Sequence, residues 1–556
     1  MQKVKAGVAS LLVFSLALGM VPMGTNKVQA AKKPKLSTKK VTIEKGKKKK
    51  VTVKNAKKYK VSWKIKNKKI VSGKKKGNYA VVVTGKKVGK TTLTFTLKKG
   101  SKKSILKCSV KVKKAKAANV PLITSSAAPA PTPKSTTSPT QTQTPVSDMA
   151  SMKKAYQGLV DNIGTCLTYN QGWGSHPEQL QDKKTMELVD QQFNSFTLEN
   201  EMKPDFVLGN QANLISKQEA EKLGYSLNNY KETQVPVLNL ENVFGAMEIA
   251  QKKGLRMRAH TLLWHQQTPT WFFKTGFSDA GQVVDKETMN ARLEFFVRTV
   301  VSQVCAKEKE LTGEAGSLVY CWDVVNEYIH RAKNPNEVSW TNVYGDMGLE
   351  PSYVKDAFRF AYDELKKAGI QDKVTLFYND YDTYFSVDDE IALINFINKG
   401  EPEKICGGMG MQSHVDIRRP TVEQYKTALE AFLKTGLEVQ ITELDITINF
   451  DTDDTDGREP TFLYRNEKET DEDQAAFTKD LMKVIVEAQR NRDKLVNPKG
   501  ITGITVWGIN DGVSWRSDCK PLFFTKKRTK NTQTGRYEYK LQPKPSFYAF
   551  VDAPKQ

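Results

Sequence analysis

Two glutamates each close an apolar, β-forming run. Glu327 ends the segment Trp-Asp-Val-Val-Asn-Glu over 322–327, which follows the strand-like lead-in Ser-Leu-Val-Tyr-Cys over 317–321. Glu443 stands late in Val-Gln-Ile-Thr-Glu-Leu-Asp over 439–445. A buried strand that ends on a polar residue presents it at its carboxyl edge. Two carboxyls at the ends of parallel strands are the minimum equipment for cleaving a glycosidic bond: one protonates the departing oxygen, the other attacks or activates water. An isolated glutamate of either kind is more often an ion-paired or surface residue, so the elements around the two must decide.

Those elements alternate. Over roughly the last 400 residues, candidate strands fall at 163–168, 195–198, 256–263, 320–325, 375–379, 409–413, 439–444 and 504–507. Helical patterns intervene at 240–253, 286–307, 351–368, 422–435 and 472–490, the last opening on acidic residues that suit a helix N-terminus. Eight β/α units predict an α/β fold, a (β/α)8 TIM barrel over 149–556, with reactive groups on the carboxyl ends of its strands.

The charge is unevenly placed. Residues 31–116 hold 33 Lys, no Arg and one acid, Glu44, for +32; with +26 for the whole chain and +3 for residues 1–30, this leaves −9 for residues 117–556. A basic module is joined to an acidic one. Nucleic acid is excluded as the expected partner, because the basic part lacks the Arg and interleaved aromatics that base recognition uses. Within it, short β-branched runs alternate with Lys and are punctuated by Gly (41–43, 51–53, 61–63, 80–83, 91–96, 108–112), which predicts a small all-β sandwich packed around Trp63. The lysines fit adhesion to a polyanion, such as an anionic cell-wall polymer or an acidic plant polysaccharide; a solvated face that keeps the module soluble is the alternative.

Residues 1–30 read as an export signal: Lys3 and Lys5, an apolar run over 6–21, then Val28-Gln29-Ala30 with the small residues a signal peptidase requires. A membrane anchor is the competing reading, but Pro22 ends the run short of the roughly 20 residues a span needs. No span is expected in the mature chain, and the expected location is extracellular, with cell-wall association an option. Six prolines among Thr, Ser, Ala and Gln make 117–148 an extended linker. Six cysteines without CxxC spacing indicate neither a zinc ribbon nor a disulfide scaffold, and leave one or two disulfides open.

Seven ordered segments carry a family resemblance: 193–205 (Phe-Asn-Ser-Phe-Thr-Leu-Glu-Asn-Glu-Met-Lys-Pro-Asp), 258–272 (Arg-Ala-His-Thr-Leu-Leu-Trp-His-Gln-Gln-Thr-Pro-Thr-Trp-Phe), 322–327, 378–381 (Tyr-Asn-Asp-Tyr), 412–414 (Gln-Ser-His), 441–446 and 507–516. Over 153–551 the chain resembles glycoside hydrolase family 10, the endo-β-1,4-xylanases; through Val-Thr-Ile-x-x-Gly at 41–46, Val-Ser-Trp at 61–63 and Gly-Lys-Thr-Thr-Leu-Thr at 89–94, residues 31–116 resemble, more weakly, the bacterial Ig-like group 2 domains. The first resemblance implies Glu327 as acid/base and Glu443 as nucleophile of a retaining mechanism acting on xylan and xylo-oligosaccharides. Repulsion from ionised Glu443 is then expected to hold Glu327 protonated, and to vanish when Glu443 is glycosylated. Asn326 is implied as a ligand of the sugar 2-hydroxyl, and His414 with Asp445 as the support of Glu443. Glu199, Asn200, Lys203, His260, Gln267 and Gln412 are implied as sugar-hydroxyl ligands. Asn379 and Tyr381 join them through their motif, and Trp264, Trp507 and Trp515 offer faces to pyranose rings. Trp271 and Trp322 read as structural.

A metal site is not expected. His260 and His265 are an odd number of residues apart along one strand and point to opposite faces. The acidic run 451–457 fails as a calcium loop, since aligning Gly457 with the turn glycine puts Thr452 and Leu463 at ligand positions. No organic cofactor is implied, because two carboxyls and water complete the chemistry. The segments 206–238, 451–473 and 526–536 are expected as loops that shape distal subsites or as solvated surface. The alternative for the whole is a polysaccharide-binding surface protein with an inactive barrel, or the same chemistry on another glycan.

Overall fold

The computed structural model describes residues 33–38, 40–44, 48–56, 58–75, 79–99, 102–113, 149–170, 178–331, 338–451, 463–464, 469–530 and 537–556. The expected export signal, the linker and most of the 451–473 loop lie outside the described residues. The chain divides into two compact units, residues 1–139 and 140–556.

In the first unit, eight strands build two four-stranded sheets: β1 (Lys35–Leu36), β2 (Lys40–Glu44), β3 (Lys48–Lys54), β4 (Lys60–Ile65), β5 (Val71–Lys75), β6 (Ala80–Gly85), β7 (Gly89–Lys99) and β8 (Lys102–Lys113). Their orders are β1-β3-β6-β5 and β2-β8-β7-β4. Strict alternation sends Thr91, Leu93, Phe95 and Leu97 of β7 inward and Thr92, Thr94 and Thr96 outward, and the inward apolar side chains meet Val51, Val81, Val83 and Val110 in a core shared by both sheets. Strands β1 and β5 escape the sequence pattern because β1 is two residues long and β5 carries Gly73 at its centre. That glycine is a packing requirement: a Cβ there would come within 2.8 Å of the Trp63 ring.

In the second unit, β9 (Asn162–Leu167), β10 (Ser195–Leu198), β13 (Arg256–Trp264), β14 (Val319–Asn326), β15 (Thr375–Asp380), β16 (Gly408–Met411), β18 (Glu438–Thr447) and β21 (Ile501–Val506) form one parallel sheet, closed by the pairing of β16 with β18. All eight expected strands are there, with ends shifted by a few residues. Every residue of β9, β14 and β18 is buried, polar and apolar alike, because barrel strands are covered on both faces. Between β10 and β13 the chain adds the hairpin β11 (Leu214–Ser216) and β12 (Gln234–Pro236). Further on come β17 (His414–Asp416), the pair β19 (Phe450–Asp451) and β20 (Leu463–Tyr464), and the hairpin β22 (Phe524–Lys530) and β23 (Tyr537–Pro543). Two of the segments expected as loops, 206–238 and 526–536, thus contain paired strands.

The outer helices start where side chains can cap them. Asp285 accepts the Thr288 N–H at 2.8 Å ahead of the helix Lys286–Thr312, and Thr421 and Thr470 form capping boxes ahead of Val422–Lys434 and Asp471–Arg490. The barrel interior is partly polar. Fully buried Arg258 of β13 makes a two-pronged ion pair with Asp323 of β14, and Asp323 also meets His260 Nδ1 at 2.8 Å. Gly410 of β16 leaves room beside this cluster, since a Cβ would lie 2.4 Å from Asn379 Oδ1. All six cysteines are buried and unpaired, so neither open disulfide forms. Among the described residues no helix is long and apolar enough to cross a membrane.

Candidate active site

Glu327 leaves the end of β14 with φ +59°, in the left-handed region that a side-chain-bearing residue seldom occupies, and its N–H donates to Asn379 O at 2.8 Å. This turn brings its carboxyl into a ring of donors. Asn326 Nδ2 and Gln412 Nε2 both donate to Oε1 at 3.0 Å, and Trp264 Nε1 donates to Oε2 at 2.8 Å. Glu443, inside β18, is joined to the same network: Asn379 Nδ2 donates to its Oε1 at 2.9 Å and to Asn326 Oδ1 at 2.9 Å. Asn379 is itself fixed by the Thr442 hydroxyl, which donates to its Oδ1 at 2.6 Å. The two carboxyls, 116 positions apart in sequence, are thus linked through three carboxamides on four neighbouring strand ends.

A second chain of contacts supports Glu443 from the other side. His414 Nε2 lies 3.2 Å from Glu443 Oε2, and His414 Nδ1 lies 2.8 Å from Asp445 Oδ2. Asp445 also accepts Trp515 Nε1 at 2.9 Å and Arg516 Nη1 at 3.2 Å. The imidazole is therefore held at both nitrogens, which fixes its orientation.

The electrostatics separate the two carboxyls. Burial pushes Glu327 up to about 7; the charge of Asp380 adds to this, hydrogen bonds from Gln412 and Trp264 oppose it, and Glu443 contributes less than any of these. Burial also pushes Glu443 up, but the His414 hydrogen bond and the charges of His260, His414 and Lys203 outweigh it and hold the group at about 2. Burial lowers His414, yet the Asp445 charge and hydrogen bond and the Glu443 contact raise it to about 9. At neutral pH the site thus holds one ionised carboxylate and one carboxyl poised to give or take a proton. The expectation that Glu443 sets the protonation of Glu327 is corrected. The negative charge of Glu443 is already matched by the His414 imidazolium and Lys203, so burial and Asp380 do most of the lifting.

The remaining expected residues gather at the same strand ends. Glu199, Asn200 and Lys203 follow β10, with Lys203 Nζ 3.3 Å from Asn200 Oδ1 and 4.8 Å from the Trp264 ring centroid. Trp507 follows β21 and meets the rings of His260 and His414 edge to face. Trp515 is 47% exposed; its ring lies 5.0 Å from that of His414 and carries the Arg516 guanidinium 4.4 Å from its centroid. Gln267 is turned toward Asp205, donating to its carboxylate at 3.2 Å, which ties the loop after β13 to that after β10. Tyr381 packs on His330 with ring centroids 4.7 Å apart. Trp271 and Trp322 are buried and structural.

Three residues gain importance that the sequence did not signal. Asp380 of β15 is fully buried and takes the Tyr381 N–H at 2.8 Å, the Ile329 N–H at 3.2 Å and His330 Nδ1 at 3.1 Å. Glu390 lies close by, 4.0 Å from His330, with its Oε2 buried and without a partner, and burial drives its carboxyl well above the usual range. Among the described residues His330, Asp380 and Glu390 are the group whose ligand atoms come close enough to hold a metal ion, within 4.8 Å of one another. A neutral Glu390 beside an Asp380–His330 ion pair accounts for the cluster without one. Only the motif Tyr-Asn-Asp-Tyr marked Asp380, and nothing local marks Glu390.

A closed parallel barrel that holds one ionised and one proton-bearing carboxyl at the ends of β14 and β18 defines a (β/α)8 glycoside hydrolase. Residues 151–553 match glycosyl hydrolase family 10, and the chain belongs to that family. Endo-1,4-beta-xylanase A of Butyrivibrio fibrisolvens is 41% identical over 373 residues, 67% of this chain and 81% of that protein. Endo-1,4-beta-xylanase B of the same organism is 31% identical over 366 residues, 66% of this chain and 48% of that protein's length. The CBM22-1 and GH10 modules of Clostridium thermocellum endo-1,4-beta-D-xylanase 10B, solved with xylohexaose, share the fold: TM-score 0.53 at 24% identity, over 86% of this chain and 71% of that one.

Proposed function

We propose that the protein is an exported endo-β-1,4-xylanase that cleaves internal xylosidic bonds by double displacement, with Glu327 as acid/base and Glu443 as nucleophile. The observation that carries the assignment is the opposite protonation of two buried carboxyls in one hydrogen-bond network, about 7 for Glu327 and about 2 for Glu443. A carboxylate oxygen of Glu443 attacks the anomeric carbon, the bond to the departing sugar oxygen breaks, and Glu327 gives that oxygen its proton. Glu327, now a carboxylate, takes a proton from water, whose oxygen attacks the same carbon; the ester to Glu443 breaks and configuration is retained. Asn326, which donates to Glu327, is the residue this reading assigns to the sugar 2-hydroxyl, as the family resemblance implies. The identity to a curated xylanase over two thirds of the chain supports xylan as substrate. The pattern of residues 1–30 supports export, and the lysine content of 31–116 supports contact with a polyanion at the cell wall or on the substrate.

Product analysis on purified xylan tests the reading. The parent is expected to release xylo-oligosaccharides with the β-anomer formed first, and Glu443→Gln to release none. Activity surviving in that variant, or an inverted first product, would overturn the mechanism, and inertness of the parent on every xylan would overturn the substrate.

A further inference from the structure

The acidic barrel unit carries a basic element at the carboxyl ends of its strands. Residues 524–543, the hairpin β22–β23, hold Lys526, Lys527, Arg528, Lys530, Arg536 and Lys540 against one acid, Glu538, for +5, which leaves −14 for the rest of residues 117–556. The segment leading into the hairpin is pinned along the end of β18, where Ile446 N–H donates to Pro521 O at 3.0 Å and Ile448 N–H to Cys519 O at 3.1 Å. At its base Phe524 packs on Phe547 with ring centroids 5.1 Å apart. The start of the helix Lys183–Gln192, which follows β9, lies within reach of its charge: Asp182 caps that helix and is held below its usual range first by the Thr185 N–H and also by Lys526. The register sets Lys526 opposite Leu541 and Arg528 opposite Tyr539, with Lys530 two residues further along, so these side chains share one face of the ribbon. Leu541 is half-buried against the barrel core, whereas Lys526, Arg528, Lys530 and Tyr539 are exposed, the tyrosine by 53%. Lys526 Nζ lies 5.2 Å from the centre of the Tyr539 ring.

Lysines on open edges guard a two-stranded ribbon against pairing with another chain, but that duty asks for no exposed ring among them. A pyranose can use such a face in two ways: its apolar C–H side lies on the tyrosine, and a carboxylate carried on it reaches a cation about 5–7 Å away, the spacing of side chains on one face of a ribbon. Arg528, directly opposite Tyr539, has the planar fork that matches a carboxylate with two hydrogen bonds. The surroundings select the ligand. With −14 on the rest of residues 117–556, an extended polyanion laid over the hairpin meets repulsion around it, whereas one carboxylate on an otherwise neutral glycan meets little. Position agrees, because β18, which carries Glu443, ends at the root of the hairpin. We infer that this face of β22–β23 is a specificity site for a uronic acid branch on the glycan that the barrel cleaves, with Tyr539 under the branch ring and Lys526, Arg528 and Lys530 around its carboxylate. The inference rests on the xylan-cleaving reading above and adds which decoration of that substrate the enzyme prefers.

The test is isothermal titration of the full chain carrying Glu443→Gln, so that ligand is not consumed. The probes are a short xylo-oligosaccharide with a single glucuronosyl branch and the same compound with its carboxyl reduced to the neutral alcohol. The acid is expected to bind about fivefold more tightly than its reduced form at about 20 mM salt, and the difference to vanish at about 0.5 M. The difference should also vanish in Lys526→Gln/Arg528→Gln/Lys530→Gln. Tyr539→Ala should weaken both probes, and Tyr539→Phe neither, because the ring face is what the sugar uses. Equal binding of the two probes, binding of neither, or a preference that survives the triple substitution in a variant with unchanged circular dichroism overturns the proposal. A single-stranded DNA oligonucleotide is the third probe: if the triple substitution abolishes its binding and leaves the uronate preference intact, the face is one for nucleic acid. Turnover of the reduced oligosaccharide by the parent chain is scored separately. Inertness there overturns the enzymatic reading, while the titration still decides the branch site.

Discussion

At Glu327, the proposed acid/base, two influences of different range act on one proton. Burial of Glu327 is local and permanent, whereas the charge of Asp380 depends on what surrounds it. Burial lowers His330, but the hydrogen bond and charge of Asp380 raise it above its ordinary value, so the imidazolium offsets part of that aspartate's field. The sign of each change follows. The first step needs Glu327 protonated, so kcat/KM falls as pH rises through about 7. Asp380→Asn removes a neighbouring negative charge, makes ionisation of Glu327 easier, and moves that limb to lower pH. His330→Gln removes a compensating positive charge and moves it to higher pH. A pH profile of kcat/KM on a neutral xylo-oligosaccharide reads both, and limbs that stay in place would remove Asp380 from the account. Glu390→Gln is expected to leave the limb where it is, because the buried carboxyl is already neutral; a downward shift would show that it carries charge. For the proposed nucleophile, Glu443→Gln is expected to lower kcat by at least about 10³-fold, since no intermediate can then form. His414→Ala should lower kcat more than it raises KM, because it supports Glu443 through the network.

Strands β13 and β14 lock the site from below. Arg258 and Asp323 are fully buried, and Asp323 also orients His260, whose ring meets Trp507. Breaking one half of such a pair leaves an uncompensated charge in the core, so Arg258→Met is expected to cost about 3–5 kcal/mol in unfolding free energy and to lower activity through His260. Urea titration followed by tryptophan fluorescence measures it; a loss under about 1 kcal/mol would mean the pair is dispensable. The eight barrel strands were legible in the sequence as short segments rich in apolar and β-branched residues between helical patterns, and the two glutamates because each stands late in such a segment. The hairpins β11–β12 and β22–β23 were not: the strands of the first are only three residues long, and those of the second carry mostly polar or charged side chains. The dependence of Glu327 on Asp380 was hidden for another reason. It comes from burial and from the left-handed turn at Glu327, and both arise only when β14 and β15 are side by side. Repulsion between the two carboxyls is the natural guess from spacing alone, and with His414 and Lys203 beside Glu443 it is the smallest of the influences on Glu327.

Across the whole molecule, two units with separate cores carry opposite charge: +32 over residues 31–116 and −9 over residues 117–556. The small unit buries a modest set of Val, Leu and Phe side chains while its lysine array sets Lys60 directly opposite Lys98 and Lys90 directly opposite Lys111, so self-repulsion opposes its stability. The barrel buries a far larger core, and its charges are extensively paired, as in the Arg298 network with Glu294, Asp363 and Glu364. Salt screens exposed charges beyond about 10 Å at 0.1 M and leaves buried pairs nearly untouched. Calorimetry of the full chain is therefore expected to show two transitions. Raising sodium chloride from about 0.02 to about 0.5 M should move the smaller, module-derived transition upward by several degrees and the barrel's much less. An anionic glycan, added at low salt, should do for the first transition what salt does, because a ligand that binds only the folded face stabilises it by mass action. Neutral xylo-oligosaccharide should instead raise only the second. A single cooperative transition, or two that respond equally to salt, would mean that the lysine array is not under electrostatic load in the free protein.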